Sequence, residues 1–210
     1  MSEESGVDES KRATLRRFAA LGAATPLTRL SGEGNRSAAD SDSDSDVPDA
    51  VLGYLAATPG AHFSKLRDDL KLGTGETQYH LRRLEERGAI EVARDGDYKR
   101  FFLADRFSEF EKRALGYLRR ETARGMLVAL LRDPETTGAA LAETLGVSRP
   151  TVSKYAAELE RAGLLSRDGG YAVERPETLV MLVVRFADSF DSTAVEFASI
   201  ADSLVRYGGE

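Results

Sequence analysis

From Val47 onward the hydrophobic positions fall into short amphipathic runs whose spacing predicts mostly helix. Val51, Leu52, Leu55 and Ala56 recur at helical intervals within Asp49–Thr58, and Pro59-Gly60 ends that run. Ser64 is expected to cap a second helix through Leu70, with Leu66 and Leu70 one turn apart on its inner face. Leu72-Gly73-Thr74 makes a tight turn, and Thr74 caps a third helix reaching about Arg87. Gly88 suits the left-handed position that closes such a helix. Ala89–Arg94 then alternates apolar and polar side chains, and Tyr98–Leu103 is strand-like again. The Asp95-Gly96 step between them predicts a β-hairpin.

The pattern returns 75 positions later. Leu66, Leu70, Leu84, Glu85 and Gly88 fall on Leu141, Leu145, Leu159, Glu160 and Gly163, which implies two copies of one small unit. The second copy predicts helices over Ala123–Arg132, Thr137–Leu145 and Ser148–Ala162, with a turn at Gly146-Val147. Its hairpin is shorter: Leu164–Arg167, a turn at Asp168-Gly169-Gly170, then Tyr171–Val173. Helix, helix, turn, helix, hairpin is the order of a winged helix-turn-helix. The expected fold class is therefore mainly α with small β-hairpin wings: two tandem winged helix-turn-helix domains plus C-terminal helices.

Between the copies, Ser108-Glu109-Phe110-Glu111 has a capping-box pattern and opens a linker helix to about Arg120. Beyond Pro176, Leu179, Leu182, Val183, Phe186 and Phe190 form one apolar stripe. Val195, Phe197, Ala198, Ile200, Ala201, Leu204 and Val205 form another. Stripes of this kind pack on their own domain or mark an interface, here a homodimer. The expected organisation is a disordered acidic leader over 1–46, a first unit over 47–104 and a linker helix over 105–121. A second unit over 122–175 and C-terminal helices over 176–210 complete it.

The leader reading rests on composition. Residues 1–46 contain Ser41-Asp42-Ser43-Asp44-Ser45-Asp46, several glycines and few large apolar side chains. Within it, Arg16-Arg17 precedes a mildly apolar run to Leu27 that resembles a twin-arginine export signal, with Ser37-Ala38-Ala39 as a loose cleavage site. A short amphipathic or disordered leader is the competing reading. No stretch reaches the roughly 18–20 apolar residues of a membrane span, so a cytoplasmic protein is expected.

Composition narrows the chemistry. The 210 residues include no cysteine and only His62 and His80, which removes disulfides, thiolate metal sites and histidine-rich metal clusters. Gly73-Thr74-Gly75 lacks the third glycine of a dinucleotide loop, and no Walker-type Gly-Lys-Ser/Thr occurs. No catalytic constellation, metal or cofactor is expected, no small-molecule effector is identifiable from the sequence, and the protein is read as a non-enzyme. The formal net charge of −6 at first argues against nucleic acid. By segment, however, it divides into −3 over 1–46, 0 over 47–104, +1 over 105–175 and −4 over 176–210. The acidity lies at the ends, and the centre is near neutral.

The third helix of each copy carries the candidate binding residues. In the second, Val152, Ala156 and Leu159 recur at core spacing, which sends Arg149, Thr151, Ser153, Lys154 and Ala157 outward or to the flanks. Short hydrogen-bonders and cations at a helix N-terminus suit base edges and phosphates. In the first, Thr77, Leu81 and Leu84 face inward and Gly75, Gln78, Tyr79, Arg82 and Arg83 outward, with Glu76 repelling phosphate near the start. Gln78 could read an adenine and an arginine a guanine. Alternatively, Arg82 and Arg83 solvate the helix face and pair with Glu86. His80 reads as packed or capping and His62 as a loop residue. The first hairpin tip offers Arg94, Lys99 and Arg100, and the second Arg167, for salt-dependent backbone contacts.

Leu145-Gly146-Val147-Ser148-Arg149-Pro150-Thr151-Val152-Ser153-Lys154-Tyr155, continuing to Leu159-Glu160-Arg161-Ala162-Gly163-Leu164-Leu165, resembles the recognition core of MarR- and ArsR-like winged-helix transcription regulators. Tyr79-His80-Leu81 resembles the matching stretch of ArsR-like domains. The acidic, lysine-poor whole resembles tandem winged-helix regulators of halophilic archaea. The resemblance implies sequence-dependent binding of double-stranded DNA, third helix in the major groove and wing on the backbone. It assigns groove and phosphate contacts to Ser148, Arg149, Thr151, Ser153 and Lys154. The rival reading is a tandem winged-helix protein-interaction scaffold, as in chromosome-organising or assembly subunits, which would not require the Arg149/Lys154 face.

Overall fold

The computed structural model describes residues 3–23, 42–96 and 98–204. It forms two compact units, Met1–Phe107 and Ser108–Glu210. Among the described residues no helix is long and apolar enough to cross a membrane.

Unit 1 runs α1 (Glu3–Ala23), α2 (Asp42–Ala57), β1 (Ala61–His62), α3 (Phe63–Leu70), α4 (Thr74–Glu86), β2 (Ile90–Asp95) and β3 (Tyr98–Leu103). The amphipathic spacing is realised: Val51, Leu55, Leu66, Leu70, Leu81, Leu84 and Ile90 are buried in one core. Four local features differ from the sequence expectation. The leader is helical over Glu3–Ala23, because Leu15 is buried at 2 % exposure and Phe18 and Ala19 pack on the same core. Burying one leucine is worth about 2 kcal/mol, which disfavours a solvated chain there. Helix α2 begins at Asp42 rather than Asp49, since Val47 and Ala50 also enter the core. The cap of α3 is His62, whose ring nitrogen accepts the Lys65 N–H at 3.3 Å, and not Ser64. Gly73, not Thr74, is the capping residue of α4, and the Glu76 carboxylate accepts its N–H at 3.1 Å.

The sheet of unit 1 has a strand that alternation did not signal. Two-residue β1 pairs antiparallel with β3, Ala61 opposite Phe101 and His62 opposite Arg100, giving the order β1-β3-β2. The hairpin itself is as expected, with Gly96 at φ 59° in the turn.

Unit 2 runs α5 (Glu109–Leu118), α6 (Glu121–Arg132), α7 (Gly138–Thr144), α8 (Arg149–Arg161), β4 (Leu165–Ser166), β5 (Ala172–Val173), α9 (Pro176–Arg185) and α10 (Ser192–Leu204). Ser108 caps α5 in a reciprocal box with Glu111. The repeat holds to the residue: the bounds of α4, Thr74 and Glu86, return 75 positions later as Arg149 and Arg161, those of α8. Gly125 on α6 lets α7 approach, because a Cβ there would stand 2.5 Å from Leu145 Cδ2.

The C-terminal stripes pack mainly on their own unit. Leu179, Leu182, Val183, Phe186, Ala194, Phe197 and Ala201 are buried, whereas Met181, Val184, Val195 and Ile200 are exposed. The stripe of α10 is thus turned from the expected one, with Ala194 inward and Val195 and Ile200 outward. Arg124 pairs with Asp191, and Arg119 donates to the Ser189 carbonyl at 2.6 Å, which ties α6 and its approach to the turn before α10. Partial burial would raise the Asp191 carboxyl, but the Arg124 guanidinium and the Ala194 N–H outweigh it and hold it low. The Ser37-Ala38-Ala39 segment, Asp97 and Val205 lie outside the described residues.

Candidate nucleic-acid interface

Helix α8 starts on a well-made cap. The Ser148 hydroxyl accepts the Thr151 N–H at 3.2 Å and lies 2.8 Å from Thr151 Oγ1. Ser148 and Thr151 therefore spend their local bonding capacity on the helix start. Val152, Ala156 and Leu159 are buried as their spacing required, and Arg149, Ser153 and Lys154 are exposed. Arg149 and Ser153 share one face, four residues apart, and Lys154 flanks them. Lys154 Nζ lies 5.8 Å from the Tyr155 ring centroid, and among the described residues Arg149 has no ionic partner. No acidic residue sits in the first turn, so the positive end of the helix dipole is uncompensated.

Helix α4 has the same framework and a different surface. Thr77, Leu81 and Leu84 are buried, joined by His80, while Gln78, Tyr79, Arg82 and Arg83 are exposed. His80 is a packed histidine, its ring edge-on to Tyr79 at 5.1 Å. Arg83 donates to the Tyr79 hydroxyl at 2.6 Å and lies over its ring, and Arg82 pairs with Glu86 at 2.8 Å. At the helix start Glu76 is held by Lys11 of α1, at 3.0 and 2.9 Å to its two oxygens. Partial burial would raise this carboxyl, but Lys11 and the Gly73 N–H hold it below the ordinary carboxylate value.

The wings need one correction. Arg94 and Lys99 are exposed and directly opposite each other across the β2–β3 ladder. Arg100, expected as a tip cation, is 3 % exposed: it pairs with Asp95 at 2.6 Å and donates to the Gly60 carbonyl at 3.1 Å. Along β3 Tyr98 and Lys99 are exposed and Arg100 to Leu103 are buried, and Arg100 holds the wing to the β1 approach. Arg167 of the second wing pairs with Glu160 at 2.6 Å, which raises its already high pKa.

A cleft of about 930 Å³ lies beside wing 2, between the Pro134–Gly138 loop and Arg167–Val173. Its position matches the third-strand pairing of unit 1. Thr136 and Thr137 correspond to Ala61 and His62 by the 75-residue shift, but β4 and β5 form a two-stranded sheet only. Among the described residues no group of three or more His, Asp or Glu side chains is placed to hold a metal.

Two buried helix frameworks of identical register, each followed by an antiparallel hairpin, give the chain a tandem helix-turn-helix architecture. Residues 45–115 match the family of N-terminal HTH domains, and residues 119–166 match the winged helix-turn-helix DNA-binding family. The chain thus carries the two domain types in tandem. No match was found among curated proteins or among solved structures.

Proposed function

We propose that the protein regulates transcription by binding double-stranded DNA, with the N-terminal half of α8 in the major groove. The observation that carries this reading is the exposed Arg149, Ser153 and Lys154 face on a helix start free of acidic residues. Cations there suit phosphate, and the side-chain chemistry of Ser153 and Arg149 suits base edges. The Arg94/Lys99 pair supports a second, sequence-independent contact. Like charges opposite each other across a ladder destabilise a hairpin, and a polyanion relieves that repulsion. Exposed Met181, Val184, Val195 and Ile200 support a homodimer through α9 and α10.

The test is binding of the full chain to genomic duplex fragments across a potassium series. Replacing Arg149 and Lys154 together with alanine should weaken binding and flatten the salt slope by about one to two units. Unchanged binding would favour a protein-interaction scaffold instead.

A further inference from the structure

We propose that α1 is part of the DNA-binding surface of unit 1: Lys11 neutralises the acidic start of α4, and Arg16 and Arg17 contact the phosphate backbone beside it. The inference rests on the DNA-binding reading above and adds to it a helix that lies outside the helix-turn-helix frame.

The part of α1 that is fixed to the fold is its basic part. Lys11, Arg12, Arg16 and Arg17 all follow Glu9, the last acidic residue of the helix. Leu15, in their midst, is buried, and Phe18 and Ala19 pack on the same core, with the Phe18 ring edge-on to Tyr54 at 5.3 Å. At 3.6 residues per turn that inward face leaves the arginines outside, and Arg12, Arg16 and Arg17 are exposed. Arg17 lies over the Phe18 ring at 5.9 Å, a contact that keeps its charge.

The same helix reaches the start of α4. Lys11 Nζ lies 3.0 and 2.9 Å from the two Glu76 oxygens, and Lys71 of the α3–α4 turn donates to the Ser10 hydroxyl. The first contact turns a carboxylate that would repel phosphate into a neutral pair, while Glu76 goes on accepting the Gly73 N–H. The second leaves the Lys71 charge uncancelled, because its partner is a neutral oxygen. Thr74 and Gly75 stay exposed, so α1 flanks the start of α4 without covering it. Arg17 follows Ser10 by seven residues, two helical turns along the same face of α1, and Arg16 adjoins it. From Lys11 to Arg17 the helix advances about 9 Å, inside the ~10 Å screening length at 0.1 M salt, so both arginines act on a phosphate drawn to α4. Helix α8 presents a positive start because its first turn holds no acidic residue. Helix α4 approaches the same condition by borrowing a lysine.

The test is duplex binding by the full chain, measured by fluorescence anisotropy across a potassium series on two unrelated sequences. Arg16→Gln with Arg17→Gln should lower affinity about tenfold on both, flatten the salt slope by about two, and leave thermal unfolding unchanged. Arg16→Lys with Arg17→Lys, which keeps the charge, should retain the slope. An unchanged slope in the glutamine variant, or a loss confined to one sequence, would overturn the backbone contact. Lys11→Gln removes the cation from Glu76 and should weaken binding about threefold. Adding Glu76→Gln, whose amide oxygen can still accept the Gly73 N–H, should restore it. No loss, or a loss that Glu76→Gln does not repair, rejects the neutralising role of Lys11. Arg149→Ala with Lys154→Ala separates this inference from the reading it rests on. Binding that falls in that variant but ignores every α1 substitution rejects α1 and keeps α8. Absence of duplex binding by the unsubstituted chain rejects both.

Discussion

Helices α4 and α8 are the same element twice, 75 positions apart, with buried residues in register and nothing in common at the exposed start. In α8 a serine caps the helix and the neighbouring cations face outward. In α4 a glutamate does the capping work, a lysine from α1 neutralises it, and the arginines are engaged by Tyr79 and Glu86. A helix-turn-helix framework is set by its inward positions, which tolerate little change in a close-packed core. Its outward positions are free to diverge. Two copies of one scaffold can therefore differ in whether the outward face of the third helix is open or occupied.

The largest contrast should be between the two wing arginines. Arg100→Ala removes one partner of a buried ion pair and leaves Asp95 and the Gly60 carbonyl without it, at a cost of about 3–5 kcal/mol in denaturant unfolding. Arg167→Ala, at a solvent-exposed pair, should leave stability unchanged. Equal effects would mean that the wings are built alike. Next come the recognition faces. Arg149→Ala with Lys154→Ala should lower DNA affinity about ten- to a hundredfold, and Arg82→Ala with Arg83→Ala much less, measured side by side by fluorescence anisotropy. A reversed order would make α4 the reader.

The caps give a smaller difference. Ser148→Ala should cost about 1 kcal/mol, and Gly73→Ala, which removes no capping side chain, should cost less. Thermal unfolding of the full-length variants measures both.

The smallest effect is pH. Burial, then the positive charges of Arg100 and Lys65, lower the His62 pKa below its ordinary 6.5. The unfolded chain binds that proton more readily, so this contribution is complete above 6.5 and is lost as pH falls toward the lowered value. Unit 2 contains no histidine, and its Asp191 contribution is lost only below the ordinary carboxylate range. Hydrogen exchange from about pH 7 down to about pH 5 should therefore show unit 1 loosening first. Simultaneous loosening would remove His62 from the account.

Much of this architecture was legible in the sequence because its signals are local. Leu66, Leu70, Leu81, Leu84 and their counterparts 75 positions later mark the inner faces. Gly88 and Gly163 end the third helices at φ 66° and 68°, and Asp95-Gly96 turns the first hairpin. Ser148, placed among groove and phosphate contacts on resemblance alone, proved to cap α8 with Thr151. Helix α1 was not legible, since its apolar face amounts to Leu15, Phe18 and Ala19, too sparse to stand out until the core that receives it exists. Strand β1 was not legible either, because two residues cannot show a period.

Periodicity and turn residues thus determined by themselves that the chain holds two helix-turn-helix units and which positions of each third helix face the solvent. Only the tertiary structure decided which of those solvent-facing residues are available. Whether an arginine is a free cation, a buried strut like Arg100 or a partner like Arg83 depends on side chains brought near it by folding. Lys11 and Glu76 stand 65 positions apart in the chain. Spacing within a helix records a direction, whereas occupancy of a surface is a property of what folds against it.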